Sequence, residues 1–245
     1  MTPGLLGQLV DWSWIGAHLT GGDASTPSIR SLLVQHIALT VIAVAIGTAI
    51  SIPLGILSYR RHAVYVPVTF VSGILYTIPS LALFILLIPI TGLSFLTVEI
   101  GLVSYTLLIL VRNVVAGLAA VPADVKDAAT GMGMRPRQLL WQVELPLATP
   151  VIMAGVRVAT VSTIGLVTIG SLIGKGGLGM YIRGGLQTFF DTEILVGAVL
   201  SLLLALVADA LLVGIERLLT PWTRRSDRRT RRRGRRELVG VAGGR

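Results

Sequence analysis

Long apolar runs set the pattern of this chain. A helix needs about 20 apolar residues to cross roughly 30 Å of hydrocarbon. Five stretches reach that length: Leu32 to Leu57, Val64 to Ile90, Val98 to Ala120, Leu147 to Leu172 and Ile194 to Leu219. The pattern predicts an all-α polytopic membrane protein of about five transmembrane helices. The second stretch carries Pro79 after Ile78, and a proline inside a helix removes one backbone bond and kinks it. It reads as one kinked span, with two shorter segments joined around Thr77-Ile78-Pro79-Ser80 as the alternative. Residues 4–20 are broken by Asp11, Trp12 and Trp14 and lack a basic segment in front, so they do not form a good signal peptide. They fit a short interfacial helix with its tryptophans at headgroup level.

Composition agrees with this reading. Of 245 residues, 53% are hydrophobic and only 13% charged, and mean hydropathy is +0.81; a soluble domain carries about 25% charged residues. Cysteine is absent, which excludes a disulfide framework, a thiol nucleophile and a thiolate metal site. His18, His36 and His62 show no ligand spacing, so no metal or other cofactor is expected. The net charge of +9 is mostly local, because nine arginines fall between Arg224 and Arg236. No aromatic residues interleave with them. That tail therefore reads as a disordered cytoplasmic segment touching anionic lipid, at about 1 kcal/mol per basic residue, rather than as a nucleic-acid site.

Basic residues also orient the spans. With the N-terminus outside and the C-terminus inside, the inner segments hold sixteen Lys and Arg, and the outer ones hold three, Arg30, Lys175 and Arg183. The loop between the third and fourth spans is then cytoplasmic. It reads VPADVKDAATGMGMRPRQLLWQVELP. Asp124 can cap a short helix after Pro122, with Asp127 three residues on in capping-box position. Ala128 and Ala129 make a smooth helix surface suited to close approach by another protein. Gly131 and Gly133 end that helix. Pro136 fits the first turn of a second helix, Arg137 to Val143, with Leu139, Leu140 and Val143 on one face. Pro146 opens the fourth span. Two helical pieces with a tight bend follow from these residues.

Within this loop, Asp127-Ala128-Ala129, then Gly133, then Val143-Glu144-Leu145-Pro146 resembles the EAA loop of importer-type ABC permeases. That pattern is Glu-Ala-Ala, three residues, Gly, nine residues, Ile-x-Leu-Pro. The spacing matches throughout, with Asp for Glu and Val for Ile. The resemblance implies a coupling helix that docks on a separate cytoplasmic ATP-binding cassette ATPase. Asp124, Asp127, Ala128, Ala129, Gly131, Gly133, Leu139, Leu140, Glu144 and Pro146 are the implied coupling residues. Weaker stretches, IPLGIL (52–57), YTIPSLALF (76–84), Arg112-Asn113 and IGKGGLG (173–179), resemble the glycine betaine, carnitine and choline group of these permeases. The resemblance covers about residues 30–220. It implies an osmoprotectant importer in a bacterial inner membrane, with a second permease subunit, identical or paralogous, and an extracytoplasmic solute-binding protein. Residues 1–31 are then an N-terminal interfacial segment, 32–220 the permease domain and 221–245 the Arg-rich tail.

Two motifs change the picture less than they first suggest. Gly174-Lys175-Gly176-Gly177-Leu178-Gly179 satisfies GxGxxG, but it follows a membrane span rather than a strand, and it fails the Walker pattern. The chain therefore has no nucleotide site of its own. A tight outer-side turn and a plain flexible loop both remain open for these glycines. Arg112, Arg157 and Asp209 fall inside the spans, each some 12–15 Å from the inner face at about 1.5 Å per residue. We expect Asp209 to pair with Arg157 or Arg112, because a charge isolated at that depth costs about 2.5–3.5 kcal/mol or more. Tyr76, Pro79 and Ser80 are candidate path-lining residues, together with Arg112 and Asn113. The aromatic residues of the spans are scattered, and no cage for a quaternary ammonium is legible among them.

Overall fold

In the computed structural model, which describes residues 10–19, 21 and 27–222, the Asp11 carboxylate opens the first helix. It accepts from the backbone N–H groups of Ser13 and Trp14, and α1 (Trp12–His18) follows. Trp14 of α1 stacks on His18 at 4.3 Å and meets Tyr181 and Phe190 edge-on at 5.4 and 5.7 Å. These contacts join α1 to the helix Gly179–Thr188 and to the turn before the last helix. Trp12 is the exposed tryptophan of α1. Residues 4–9 of the expected interfacial helix lie outside the described residues, as do residues 223–245 of the Arg-rich tail.

Ser28 caps α2 (Ile29–Arg60), and two shorter helices follow, α3 (His62–Thr77) and α4 (Ser80–Thr91). They meet at 99°. A proline-kinked span would bend far less. The cause is local: the residue before a proline is pushed out of the helical region, and Ile78 adopts φ −64°, ψ 129°. The helix therefore stops at Thr77 and restarts at Ser80. The chain continues through α5 (Phe95–Ala119), α6 (Ala123–Gly131) and α7 (Pro136–Leu139). A wide π-turn over Leu140–Glu144 joins α7 to α8 (Leu145–Gly170). Then come a 3-10 turn at Ser171–Ile173, α9 (Gly179–Thr188) and α10 (Asp191–Leu219).

Among the described residues all regular structure is helical, and four helical stretches are long and apolar enough to cross a membrane. They are Ile29–Arg60, Phe95–Ala119, Pro136–Ile173 and Asp191–Leu219, and the bent α3–α4 pair makes a fifth if taken as one broken span. Pro146 does not begin the fourth stretch, which runs unbroken from Pro136. The Leu145 N–H bonds to the Leu140 carbonyl, and this wider i→i−5 turn accommodates a proline that has no N–H to give.

Small residues let α2, α5 and α8 approach closely, as is usual where apolar burial gives little advantage over lipid. A Cβ on Gly47 would stand 2.0 Å from Thr106 Oγ1, and one on Gly55 would stand 2.5 Å from Val114 Cγ1. Gly155 of α8 bears in the same way on Asn113 of α5, at 2.5 Å from its Cβ. We expect Gly155→Leu to overpack this crossing by about 1–3 kcal/mol. Thermal unfolding of the purified protein in detergent should show a transition several degrees lower, and an unchanged midpoint would contradict the packing.

The glycine run is a built turn, not a plain flexible loop. Gly174 and Gly177 take φ +81° and +50°, and a Cβ on Gly176 would fall 2.1 Å from the Ser171 nitrogen. The turn is tied down by α2. Gly177 N–H donates to Gln35 Oε1 at 3.0 Å and Leu178 N–H to His36 Nδ1 at 3.3 Å. A backbone N–H can only donate, so the His36 proton sits on Nε2, which reaches the Ile164 carbonyl at 3.0 Å. Tyr181 closes the same corner by donating to the Pro27 carbonyl at 2.5 Å. Burial pushes its hydroxyl up to about 12, so it remains a donor.

Candidate coupling surface and membrane cavity

The segment between α5 and α8 is fixed by its ends. Pro122 precedes α6 without a side-chain cap. Asp124 is therefore not the cap its position suggested, and Asp127 completes no capping box. Proline's fixed φ sets the extended cap geometry instead. Asp124 stands in the first turn, where a negative charge favours the helix dipole.

The C-terminal end is more specific. Met134 N–H bonds to the Ala129 carbonyl and Gly133 N–H to the Thr130 carbonyl, at 3.2 and 2.9 Å, with Gly133 at φ +84°. This is a Schellman cap with glycine in its left-handed position. Gly131, by contrast, is the last helical residue. Pro136 opens α7 as expected, and Gln138 Oε1 accepts from the Arg135 N–H at 2.9 Å.

Two cations hold this segment to the bundle. Lys126 Nζ donates to Tyr59 Oη at 2.8 Å and to the Leu118 carbonyl at 3.3 Å. Arg60 donates to the Pro136 carbonyl at 3.1 Å and stands 4.0 Å from the buried Glu144 carboxylate. Tyr59, Arg60 and Lys126 were absent from the residues expected to matter here. In the sequence they register only as loop charges and a span end.

Anchoring divides the ten expected coupling residues. Asp124, Asp127, Ala128, Gly131 and Gly133 are exposed, Leu139 and Pro146 are half-buried, and Ala129, Leu140 and Glu144 are buried. Ala129 is only 3% exposed. Consecutive helical residues point about 100° apart, so a helix laid on the bundle cannot present both alanines. Leu140 packs with Val114, Leu118, Val121 and Ala148. Val125, Met132 and Trp141 add exposed apolar surface, and Met132 and Trp141 are 74% and 65% exposed.

The break between α3 and α4 opens a second feature, a cavity of about 410 Å³. Tyr76, Ile78, Pro79 and Ser80 line it with Tyr105 and Thr106 of α5 and Ser162 and Thr163 of α8. Tyr105 donates its hydroxyl to the Ile78 carbonyl, which lies in the non-helical break. Arg112 and Asn113 are not in this lining. The Asn113 amide turns back to the Ile109 carbonyl at 2.8 Å and packs at the α5–α8 crossing. Arg112 is exposed and forms no ion pair among the described residues. Asp209 pairs instead with Arg157, at 2.8 Å from Nε and 3.1 Å from the terminal nitrogen, and Glu216 joins at 3.5 Å.

Residues 47–225 match the family described as binding-protein-dependent transport system inner membrane component. The chain belongs to that family. The choline transport system permease protein OpuBB of Bacillus subtilis is 38% identical over 187 residues, covering 76% of this chain and 86% of the relative. The osmoprotectant import permease protein OsmW of Salmonella typhimurium is 38% identical over 198 residues, covering 79% and 92%. A solved structure showing inward-facing conformations of the MetNI methionine ABC transporter matches with TM-score 0.70 and 24% identity, covering 77% of this chain and 96% of its own. That likeness establishes the fold. The inner-membrane permease family explains why the longest helices are apolar.

Proposed function

We propose that this permease imports small quaternary-ammonium osmoprotectants, of the glycine betaine and choline type, using ATP hydrolysed by a separate subunit. One observation carries the coupling half of this reading: α6 is a short exposed helix, glycine-capped and tied by Lys126 to Tyr59 of α2 and Leu118 of α5, while Arg60 of α2 holds Pro136 at the start of α7. A push on such a helix reaches the spans without being absorbed by a loose loop. The solute half is supported by the named transport of the two relatives over nearly their whole length.

In this reading the N-terminus is outside and the C-terminus in the cytoplasm of a bacterial inner membrane, so α6 meets the ATP-binding cassette ATPase there. Asp124, Asp127 and Ala128 form the contact with Val125 and Met132, while Ala129, Leu140 and Glu144 hold the contact in shape. Gly133 sets where the helix ends. Residues 32–220 form the permease domain. A second permease subunit, identical or paralogous, completes the path, and an extracytoplasmic binding protein delivers the solute. The permease performs no covalent chemistry. ATP binding biases a pre-existing equilibrium between inward-open and outward-open arrangements.

Reconstitution tests the reading. Proteoliposomes holding the permease, its co-purified ATPase and the binding protein should accumulate labelled choline or glycine betaine only with ATP. Uptake that continues without ATP and stops when ion gradients are dissipated would overturn it in favour of an ion-driven carrier.

A further inference from the structure

We propose that the cavity at the α3–α4 break is a transient binding site for the quaternary ammonium group of the solute, with Tyr76 and Tyr105 as its recognition walls. The inference rests on the solute reading above and adds a site to it. Residues 29 apart in sequence are brought together here, with ring centroids 5.8 Å apart and planes at 62°. They form a corner instead of a stack. Tyr105 is ten residues from the start of α5, which places the corner about 15 Å down that helix at about 1.5 Å per residue, near mid-membrane. The volume of about 410 Å³ falls in the range of small-molecule sites, roughly 300–1,000 Å³.

The chemistry of the lining selects the ligand class. It contains no Lys, Arg, His, Asp or Glu. Three of its hydroxyls spend their protons on their own helices: Thr77 Oγ1 donates to the Ile74 carbonyl at 2.8 Å, Thr106 Oγ1 to the Val103 carbonyl at 2.8 Å and Thr163 Oγ1 to the Ala159 carbonyl at 2.7 Å. Tyr105 spends its proton on the Ile78 carbonyl. With the hydroxyls of Tyr76, Ser80 and Ser162 they form a wall of ring faces and oxygens, electron-rich but without formal charge. A metal cation or a primary amine would give up its hydration shell here with no counter-charge in return. A quaternary ammonium has no N–H groups to satisfy, and aromatic faces hold it well. An uncharged wall also binds weakly enough to release the solute, which a path requires.

Tyr105 is buried and Tyr76 is 43% exposed, so Tyr76 carries the test with the least effect on folding. The complete reconstituted transporter would be assayed with saturating solute-loaded binding protein, reading both labelled glycine betaine uptake and ATP hydrolysis. We expect Tyr76→Leu to cut solute moved per ATP roughly tenfold, with loaded-binding-protein stimulation of hydrolysis unchanged within about twofold. Tyr76→Phe, which keeps the ring face, should hold the unmodified ratio. A normal ratio in Tyr76→Leu, or an equal loss in Tyr76→Phe, would overturn the site while leaving the solute reading standing. Failure of the unmodified transporter to move any quaternary ammonium would overturn both.

Discussion

Gly133→Val should cut ATP-driven uptake at least about tenfold, whereas Gly131→Ala, two residues away, should leave it nearly unchanged. Gly133 sits at φ +84° with open space where a Cβ would go. The penalty is therefore conformational, of the order of 1–3 kcal/mol for a side chain forced into that region, and larger for a β-branched one. The chain escapes it by giving up the Schellman cap, which releases the bonds from Met134 and Gly133 that fix the end of α6. The end of the exposed face around Ala128 then loses its fixed position relative to α7. Uptake should fall at least about tenfold, and ATP hydrolysis should lose its response to the loaded binding protein. Gly133→Asn should be mild, since asparagine tolerates the left-handed conformation. Gly131 has helical backbone and nothing within 4 Å of a built Cβ, so alanine fits there. Equal damage at both glycines would show that the cap is not what positions the helix.

Arg157→Ala should lower the amount of folded protein in the membrane several-fold. The second half of α10 has little else holding it. The buried residues of that helix, Thr192, Gly197 and Ser201, all lie in its first half. Beyond them, Asp209 and Glu216 are one face apart by two turns and both reach Arg157. Removing the guanidinium leaves Asp209 and Glu216 without their shared partner, and a carboxylate inside a membrane span without a counter-charge is disfavoured. Arg157→Lys should recover only part of the loss, because a lysine cannot reproduce the two-pronged contact with Asp209. The neutral triple variant Arg157→Leu/Asp209→Asn/Glu216→Gln should recover most of it, since apolar replacement of an ion pair is often close to neutral. Quantitative immunoblotting of membranes would read all three, and wild-type abundance in Arg157→Ala would contradict the role given to the pair.

What the sequence made legible follows the range of the forces involved. Gly133 and Pro136 act on the backbone within a few residues, so the bend and the start of α7 could be read directly. The long apolar runs gave the spans for the same reason. The break at Pro79 was visible as a position but not as an angle, because the 99° turn depends on Ile78 leaving the helical region and on Tyr105 holding its carbonyl. Ala129 illustrates another limit. Its identity matched the loop pattern, but which alanine faces outward depends on how α6 lies on the bundle, and that is set by Lys126 reaching Tyr59 across 67 positions. The pairing of Tyr76 with Tyr105, and of His36 with the glycine turn, spans 29 and 142 positions. No local pattern announces such pairs. The choice of Arg157 over Arg112 is likewise decided by helix rotation: both are at similar depth, but only Arg157 faces α10.

The orientation of α6 and its contact with an ATPase are the centre of this account, and the absence of cysteine makes a direct test clean. Ala128→Cys and Ala129→Cys would each be introduced singly into the permease, which would be labelled with a thiol-reactive photo-cross-linker before assembly with its partners and illumination. A permease–ATPase adduct is expected from Ala128→Cys and almost none from Ala129→Cys, since the Ala129 position is only 3% exposed and covered by the permease itself. Adducts of equal yield from both positions, or an ATPase adduct from Ala129→Cys alone, would contradict that orientation of α6.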